Sequence, residues 1–153
     1  MGTLRLKTPI QKEEIKRAKV GDILFVSGTA ITARDKAHIR ALEYFKEGKK
    51  IPVEFKGLVV YHCGPLVREK DGGWEVMAAG PTTSARMEPM EDKFIEYFRP
   101  SLIVGKGGMG EKTANAAKKF GVLYCDFTGG TAVLAAKAIK KIISPLLVAL
   151  GFN

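Results

Sequence analysis

The fold is decided by residues 101–127, which read SLIVGKGGMGEKTANAAKKFGVLYCDF. Residues 102–104 are apolar and predict a short strand, which a glycine-rich loop follows. Residues 111–120 predict a helix that ends at Gly121, because glycine is the usual residue just past a helix C-terminus. A second apolar run covers residues 122–127. The order strand, helix, strand predicts a parallel pair joined by a right-handed crossover, and therefore an α/β fold.

The flanking segments predict further strands and helices around this unit. The predicted strands are an edge strand at residues 4–10 and buried strands at 23–28 and 58–63, with a hairpin of 66–67 and 74–78 around a polar tip at 69–73. The predicted helices are residues 88–98, residues 132–143, and one that begins at a capping box of Thr32 and Asp35 and runs to about Phe45. A hairpin among crossovers predicts a mixed sheet with helices packed on it.

The length and composition indicate one domain, residues 1–153, with a real core. With 46% hydrophobic and 27% charged residues, the chain is neither disordered nor membrane-embedded. The first residues contain no apolar signal region, so we expect a cytoplasmic protein.

The net charge of +9 suits an anionic ligand, an acidic partner protein or nucleic acid. The lysines are spread along predicted helix faces, and no aromatic-and-basic ribbon or helix-turn-helix pattern accompanies them. A solvated surface is therefore the expected role of most of them, and no nucleic-acid partner is expected. A basic interaction protein remains the third and weakest functional hypothesis.

A loop with candidate ligand-binding groups lies at residues 80–86, GPTTSAR, between a predicted strand and a predicted helix. Its hydroxyl groups belong to Thr82, Thr83 and Ser84. Arg86 adds a planar fork that suits a carboxylate. The alternative interpretation is helix capping by the hydroxyls, with Arg86 on the surface.

A second such loop lies at residues 105–110, GKGGMG. Backbone N–H groups at Gly105 and Gly107, together with the Lys106 cation, could hold an anion at a helix N-terminus. The same glycines match the G-x-G-x-x-G fingerprint of dinucleotide-binding proteins, with Asp126 placed as a ribose ligand. Nucleotide binding and a purely structural turn therefore stay open, but we favour a clamp in which Arg86 and Lys106 each hold one carboxylate.

Arg34 and Asp35 lie in a third connection from a strand to a helix. His38 follows one turn later, close enough to Arg34 to support its orientation without contacting a ligand. Asp35 could support the orientation of a neighbouring cation in the same way. A structural role is nevertheless the expected one for His38, and also for His62, which lies in a predicted strand. Cys63 and Cys125 have no partner spacing, so we expect reduced core cysteines and no metal ligand in this chain.

Five motifs in this order are similar to those of one family, the β subunit or C-terminal domain of class I fumarate hydratases and L-tartrate dehydratases. The resemblance covers about residues 21–141, and it is specific because of the combination of motifs. The motifs are SGT at 27–29 with TARDKAH at 32–38, HCGP at 62–65, GPTTSARM at 80–87, GKGGMG at 105–110 and TGG at 128–130 with AVLAA at 132–136.

The resemblance implies a three-layer β/β/α "swivelling" domain and an iron–sulphur hydro-lyase. It would interconvert fumarate and (S)-malate, a step of the tricarboxylic acid cycle, or act as the L-tartrate dehydratase β subunit. The [4Fe-4S] cluster would be held by an α subunit, without which this chain would be inactive. We expect a hetero-oligomer with that subunit, or a homodimer in isolation.

The resemblance also assigns roles to residues of this chain. It implies that Arg34, Arg86 and Lys106 bind the carboxylates of a dicarboxylate substrate and that Thr82 is the candidate base. Thr83, Gly105 and Gly107 complete the expected substrate-binding set. The chain departs from the family at residues 144–153, where family members continue with further strands. The second hypothesis, a stand-alone dinucleotide-binding module, would use residues 105–110 and Asp126.

Overall fold

The chain alternates strands and helices around a small parallel sheet. A computed structural model describes residues 1–143; the expected departure at residues 144–153 lies outside the described residues. In chain order the elements are β1 (Thr3–Lys7), α1 (Lys12–Ile15), β2 (Ile23–Ser27), β3 (Ala30–Thr32), α2 (Asp35–Lys46), β4 (Val59–Tyr61), β5 (Leu66–Lys70), β6 (Gly73–Ala78), a 3₁₀ turn (Ser84–Met87), α3 (Glu88–Phe98), β7 (Leu102–Gly105), α4 (Glu111–Phe120), β8 (Leu123–Asp126) and α5 (Ala132–Ala138).

The central sheet has four parallel strands in the order β3-β4-β7-β8. The predicted parallel pair of β7 and β8 is confirmed, with Leu102 opposite Leu123. Two smaller sheets accompany it: β1 pairs with β2 in parallel, and β5 pairs with β6 as the predicted antiparallel hairpin. The hairpin turns at Asp71 and Gly72, whose φ angles of 52° and 76° match the two left-handed positions of a tight turn.

Neighbouring residues of the central strands pack on opposite faces of the sheet, as strand geometry requires. Val60 and Ile103 pack against the helical layer, where Phe94 of α3 is fully buried. Val59 and Leu102 form the other cluster, with residues of β1, α1 and the segment between them. The predicted α/β class is thus confirmed, and the arrangement is compatible with three layers: a strand layer, the central sheet and helices.

Helices α3 and α4 begin and end where the sequence predicts. In α3 the apolar residues Phe94 and Ile95 are fully buried, and the helix ends at Arg99 in a left-handed conformation. In α4 the predicted C-cap Gly121 has a φ of 69°, a conformation that glycine adopts without strain.

The predicted capping box of Thr32 and Asp35 is wrong. Thr32 pairs with Tyr61 as the last residue of β3, and the sheet continues through the hydrogen bond from Ala33 N–H to the Tyr61 carbonyl. Arg34 is therefore the N-cap residue of α2, and its side chain makes no capping hydrogen bond. Pairing with β4 prevails over the local capping preference.

Two further predictions need correction. The strand at residues 23–28 forms, but it is not buried, because Ile23 and Phe25 are 49% and 51% exposed. Helix α5 ends at Ala138 instead of residue 143, and Ala136 is its one buried residue, so little packing holds a longer helix. No helix among the described residues is long and apolar enough to span a membrane.

Candidate active site

The candidate site lies at the carboxyl ends of the parallel strands, the usual location of ligand sites in open α/β sheets. Arg34 follows β3, His62 follows β4 and Lys106 follows β7. Adjacent strands lie about 4.8 Å apart, so the ends of β3 and β7 are separated by about 10 Å, within reach of long side chains that share one ligand.

The first loop inserts between the ends of β4 and β7. Thr82 N–H donates to the His62 carbonyl at 2.7 Å, and Ser84 N–H donates to the Lys106 carbonyl at 3.0 Å. Thr83 forms a parallel bridge with Lys106. Thr82 and Thr83 therefore lie between the loop that contains Lys106 and the end of the strand beside Arg34.

Arg34 and Arg86 belong to adjoining surfaces. The Arg34 side chain packs on Gly64, since a Cβ atom at Gly64 would stand 2.7 Å from Arg34 Nε. Arg86 Nη2 lies 2.6 Å from Asp35 Oδ2, so the acid next to Arg34 orients Arg86. We expected Asp35 to support a neighbouring cation, and such a role would require a contact of this kind.

Several polar groups of the site are left available to a ligand. Within residues 1–143, neither the Arg34 guanidinium nor the Lys106 ammonium has a carboxylate partner, and the Thr82 hydroxyl has no hydrogen bond to the protein. Both cations are exposed, and the Lys106 stem passes within contact distance of Gly129. Two cations without a carboxylate partner, on residues that follow β3 and β7, suit an anion with two charged ends.

The glycine-rich loop binds protein groups in the places where a dinucleotide would bind. Asp126 Oδ1 accepts a hydrogen bond from Gly107 N–H at 2.7 Å, so this acid is engaged by the loop itself. The Glu88 carboxylate accepts from Gly110 N–H at 2.8 Å and from the Thr113 hydroxyl at 2.5 Å, and so occupies the N-terminus of α4. These donors at the helix end are thus bonded to carboxylates of the protein, and Lys106 is left as the main candidate ligand of this loop.

The spacing of two of these glycines also has a packing explanation. A Cβ atom at Gly105 would stand 1.7 Å from Ser84 Oγ, and one at Gly110 would stand 2.4 Å from Glu88 Oε1. A side chain at Gly105 would clash with the buried Ser84, and one at Gly110 would displace the Glu88 carboxylate from its contacts. Close approach of Ser84 and Glu88 is therefore sufficient to explain these two glycines of the fingerprint.

A buried polar network lies beneath the site. Its central member, Glu91, is fully buried on α3, with Oε2 2.9 Å from His38 Nε2 and 3.1 Å from His62 Nε2. The contact with His38 is off the line of an ideal hydrogen bond, and Glu91 Oε1 has no partner among the described residues. Sequence reasoning missed Glu91, although an acid next to the apolar residues of a helix is a usable signal for a buried polar contact.

The network continues outward at both histidines. His38 Nδ1 lies 2.9 Å from the Arg34 carbonyl oxygen, and His62 Nδ1 lies 2.8 Å from Ser84 Oγ. Ser84 Oγ accepts from Lys106 N–H at 3.1 Å and lies 3.0 Å from the Tyr124 hydroxyl. The Ser84 hydroxyl is therefore a network member and not the helix cap that the alternative interpretation predicts.

Charge pairing sets the pKa values of the network. Burial alone would lower the pKa of His38, but the charge and contact of Glu91, with the Arg34 carbonyl and the Asp35 charge, raise it above 6.5. Burial would likewise raise the pKa of Glu91, but His38 and His62 hold it well below 4.5. The pairing thus favours the charged forms of both groups, an imidazolium at His38 and a carboxylate at Glu91.

Two sets of residues can be tested as metal ligands. Donor atoms of His38, His62 and Glu91 lie within 4.8 Å of one another, but the closest contacts are hydrogen-bond distances that a shared proton satisfies. Burial raises the pKa of the thiols of Cys63 and Cys125 to about 11 each. Two protonated thiols, one in the segment after β4 and one in β8, do not suit a [4Fe-4S] cluster, which needs three or four thiolates.

The fold and the site define a class: an α/β domain with exposed cationic residues at the carboxyl edge of a parallel sheet. Residues 1–152 match the family model described as "Fumarase C-terminus". The chain belongs to this family, the β subunits or C-terminal domains of class I fumarate hydratases and tartrate dehydratases, which are hydro-lyases. The resemblance drawn from the five motifs is thereby confirmed.

Individual relatives support the same assignment. The chain is 42% identical over 137 residues to the L(+)-tartrate dehydratase subunit beta of Escherichia coli K12, covering 90% of this chain and 67% of that protein. It is 38% identical over 133 residues to a Methanocaldococcus jannaschii protein named for the same subunit, covering 87% and 68%. It is 39% identical over 140 residues to a Geobacillus stearothermophilus protein named as a class I fumarate hydratase, covering 91% of this chain and 26% of that protein.

Proposed function

We propose that this chain is the β subunit of a two-subunit hydro-lyase that adds water reversibly to the double bond of fumarate, giving (S)-malate. The observation that carries the proposal is the position of two residues whose cations have no carboxylate partner among residues 1–143: Arg34 follows β3, Lys106 follows β7, and the backbone of Thr82 is bonded to the end of β4 between them. Fumarate and malate each have two carboxylates, and a cation for each end fixes the molecule in one orientation.

The chemistry needs these residue types. Dehydration of malate takes a proton from the carbon next to one carboxylate, while the C–O bond on the neighbouring carbon breaks and the departing hydroxyl takes up a proton to become water. Negative charge then builds on the carboxylate beside the deprotonated carbon, and fixed cations stabilise that charge as it develops. Arg34, Arg86 and Lys106 supply the cations in this proposal, and Thr82 accepts the proton.

A threonine hydroxyl is a weak base, so its role requires help from its surroundings. The cations around Thr82 favour its anionic form, and the hydrogen bond from its N–H to the His62 carbonyl fixes the backbone that carries it. Thr83 and the backbone at Gly105 and Gly107 complete the wall of the proposed site.

The proposal includes a partner. The thiols of this chain do not suit a cluster, so a [4Fe-4S] cluster would be held by an α subunit that closes the site, and the β chain alone would be inactive. Support comes from the relatives whose names call them beta subunits. The same names favour L-tartrate as the second candidate substrate.

Anaerobic reconstitution tests the proposal and separates the two substrates. The purified chain is mixed with a cluster-loaded α subunit, and fumarate absorbance is followed in one sample and oxaloacetate formation from L-tartrate in another. We expect fumarate to be consumed by the mixture and by neither subunit alone. Turnover of tartrate alone would favour the second candidate, and turnover of neither would contradict the proposed function.

A further inference from the structure

We propose that the buried network of His38, Glu91, His62 and Ser84 is a positioning device, which uses one proton held between His38 and Glu91 to fix the Arg34 and Lys106 loops relative to each other. None of the four side chains is placed to touch a substrate, since all are fully buried. The assignment of a catalytic purpose to this device rests on the proposed function.

The first step is the location of the proton. The Arg34 carbonyl oxygen can only accept, so His38 Nδ1, 2.9 Å away, carries a hydrogen. In a neutral ring Nε2 would then present a lone pair to Glu91 Oε2 at 2.9 Å, and two acceptors would repel each other. One of these two atoms must therefore carry a proton. Its loss would leave the buried Glu91 carboxylate without this charge partner, which is costly in a low-dielectric core.

The second step connects this proton to the Arg34 loop. Arg34 is the residue that precedes α2, and its carbonyl receives both His38 N–H at 3.0 Å and His38 Nδ1. Because Glu91 lies on α3, the ion pair attaches the first turn of α2 to a different helix. The Arg34 backbone is thus held by a contact that spans the helical layer.

The third step connects the same carboxylate to the Lys106 loop. Glu91 Oε2 lies 3.1 Å from His62 Nε2, and the other nitrogen of that ring contacts Ser84 Oγ at 2.8 Å. Ser84 Oγ in turn accepts the Lys106 N–H at 3.1 Å. Four side chains therefore connect the backbones of two cationic residues that are 72 positions apart in sequence, 106 less 34.

The consequence concerns the separation of the two cations. If both loops are held through one buried anion, the spacing of the Arg34 and Lys106 backbones is fixed in advance, and less ordering is needed when a dicarboxylate binds. A network that only stabilised the fold would change the amount of folded protein and leave the affinity of the folded fraction unchanged.

The first experiment uses the full-length chain alone, so its result does not depend on enzymatic activity. Histidine ¹⁵N spectra should show His38 with both nitrogens protonated at pH 7.5. The charges and titratable groups that face this ring are Glu91 from α3, His62 from the end of β4 and Asp35 on its own helix. In Glu91→Gln the imidazolium signal should be absent at the same pH, whereas Glu96→Gln, on an outer position of α3, should leave it unchanged.

Amide hydrogen exchange then tests positioning directly. In Glu91→Gln the Lys106 amide should exchange at least about tenfold faster, while the Val122 amide, bonded to the Ala117 carbonyl, keeps its rate. Ser84→Ala provides a second variant if Glu91→Gln fails to fold. It should speed the Lys106 amide and leave the His38 imidazolium intact. An unchanged Lys106 rate, a neutral His38 in the wild type, or a stoichiometric metal ion in the purified chain would overturn the inference.

Kinetics of the reconstituted enzyme connect the device to function. Glu91→Gln should raise KM for the dicarboxylate at least about tenfold after correction for the folded fraction, and Glu96→Gln should not. A fall in kcat with unchanged KM would indicate a structural role and would overturn the inference. If the wild-type mixture turned over no dicarboxylate while exchange at Lys106 still depended on Glu91, the proposed function would be contradicted. The inference that the network positions the Lys106 loop would still be supported.

Discussion

Asp35 Oδ2 lies 2.6 Å from Arg86 Nη2 and joins two loops that are 51 residues apart in sequence. The pair connects the start of α2, beside Arg34, to the 3₁₀ turn that follows Thr82 and Thr83. With 31% and 56% of the two side chains exposed, it contributes about 0–1 kcal/mol to the free energy of unfolding. Its effect lies in the orientation of the Arg86 guanidinium.

Asp35→Asn should therefore weaken substrate binding more than stability. The amide no longer holds the charged fork of Arg86, so we expect KM to rise about three- to tenfold. The free energy of unfolding should change by less than about 1 kcal/mol. Steady-state kinetics and urea unfolding measure the two quantities, with Asp92→Asn as the control. A loss of several kcal/mol without any change in KM would show that the pair is structural.

Thr82→Ala should lower kcat by at least about a hundredfold if the hydroxyl transfers the proton. Thr82→Ser keeps the hydroxyl and should retain most of the activity. Single-turnover measurements on the reconstituted enzyme compare the two variants at saturating substrate. Equal rates in the alanine and serine variants would remove Thr82 from the proton transfer.

Glu88→Gln should lower stability and spare catalysis. The carboxylate accepts from Gly110 N–H and from Thr113 at the start of α4, and it is the charged form that makes these contacts strong. We expect a loss of about 1–2 kcal/mol, the usual effect of removing an N-terminal cap. Thermal unfolding measures it, with Glu111→Gln on the exposed first turn of the same helix as the control.

The His38–Glu91 pair should give stability a defined pH dependence. The folded-state pKa of Glu91 is lowered from 4.5 to about 2, so its contribution is complete above about 4.5 and is lost as pH falls towards 2. The folded-state pKa of His38 is raised above 6.5, so its contribution is complete below 6.5 and is lost as pH rises through the folded value.

The difference in unfolding free energy between wild type and Glu91→Gln should therefore be largest between about pH 4.5 and 6.5. Urea titrations at intervals from pH 3 to pH 9 measure this difference. A difference that stays constant over the whole range would contradict an ionised pair in the folded core.

Elements with strong local signals were predictable from the sequence. Helix α4 follows a glycine loop and ends at a glycine, and α3 has a regular apolar stripe ending in Phe98. The loop residues Arg34, Thr82, Arg86 and Lys106 could be selected because cations and hydroxyls follow predicted strands. Their roles as substrate ligands and base stay predictions.

The parts that could not be predicted depend on distant contacts. Glu91 contacts His62 from 29 positions away, and Glu88 contacts Gly110 from 22 positions away. A local pattern contains no information on such pairs, so the glycines at 105 and 110 matched a nucleotide fingerprint instead. Thr32 satisfied a local capping rule, and pairing with a distant strand decided its conformation.

The central claim is that Arg34 and Lys106 each hold one carboxylate of the substrate. Its most direct test is kcat/KM for fumarate hydration by the reconstituted enzyme, measured for Arg34→Ala, Lys106→Ala and the exposed control Lys118→Ala. We predict a loss of at least about a hundredfold for each of the first two variants, as expected when a charged ligand loses its counter-ion. Wild-type kcat/KM should persist in the control. Unchanged kcat/KM in Arg34→Ala or in Lys106→Ala would contradict the claim.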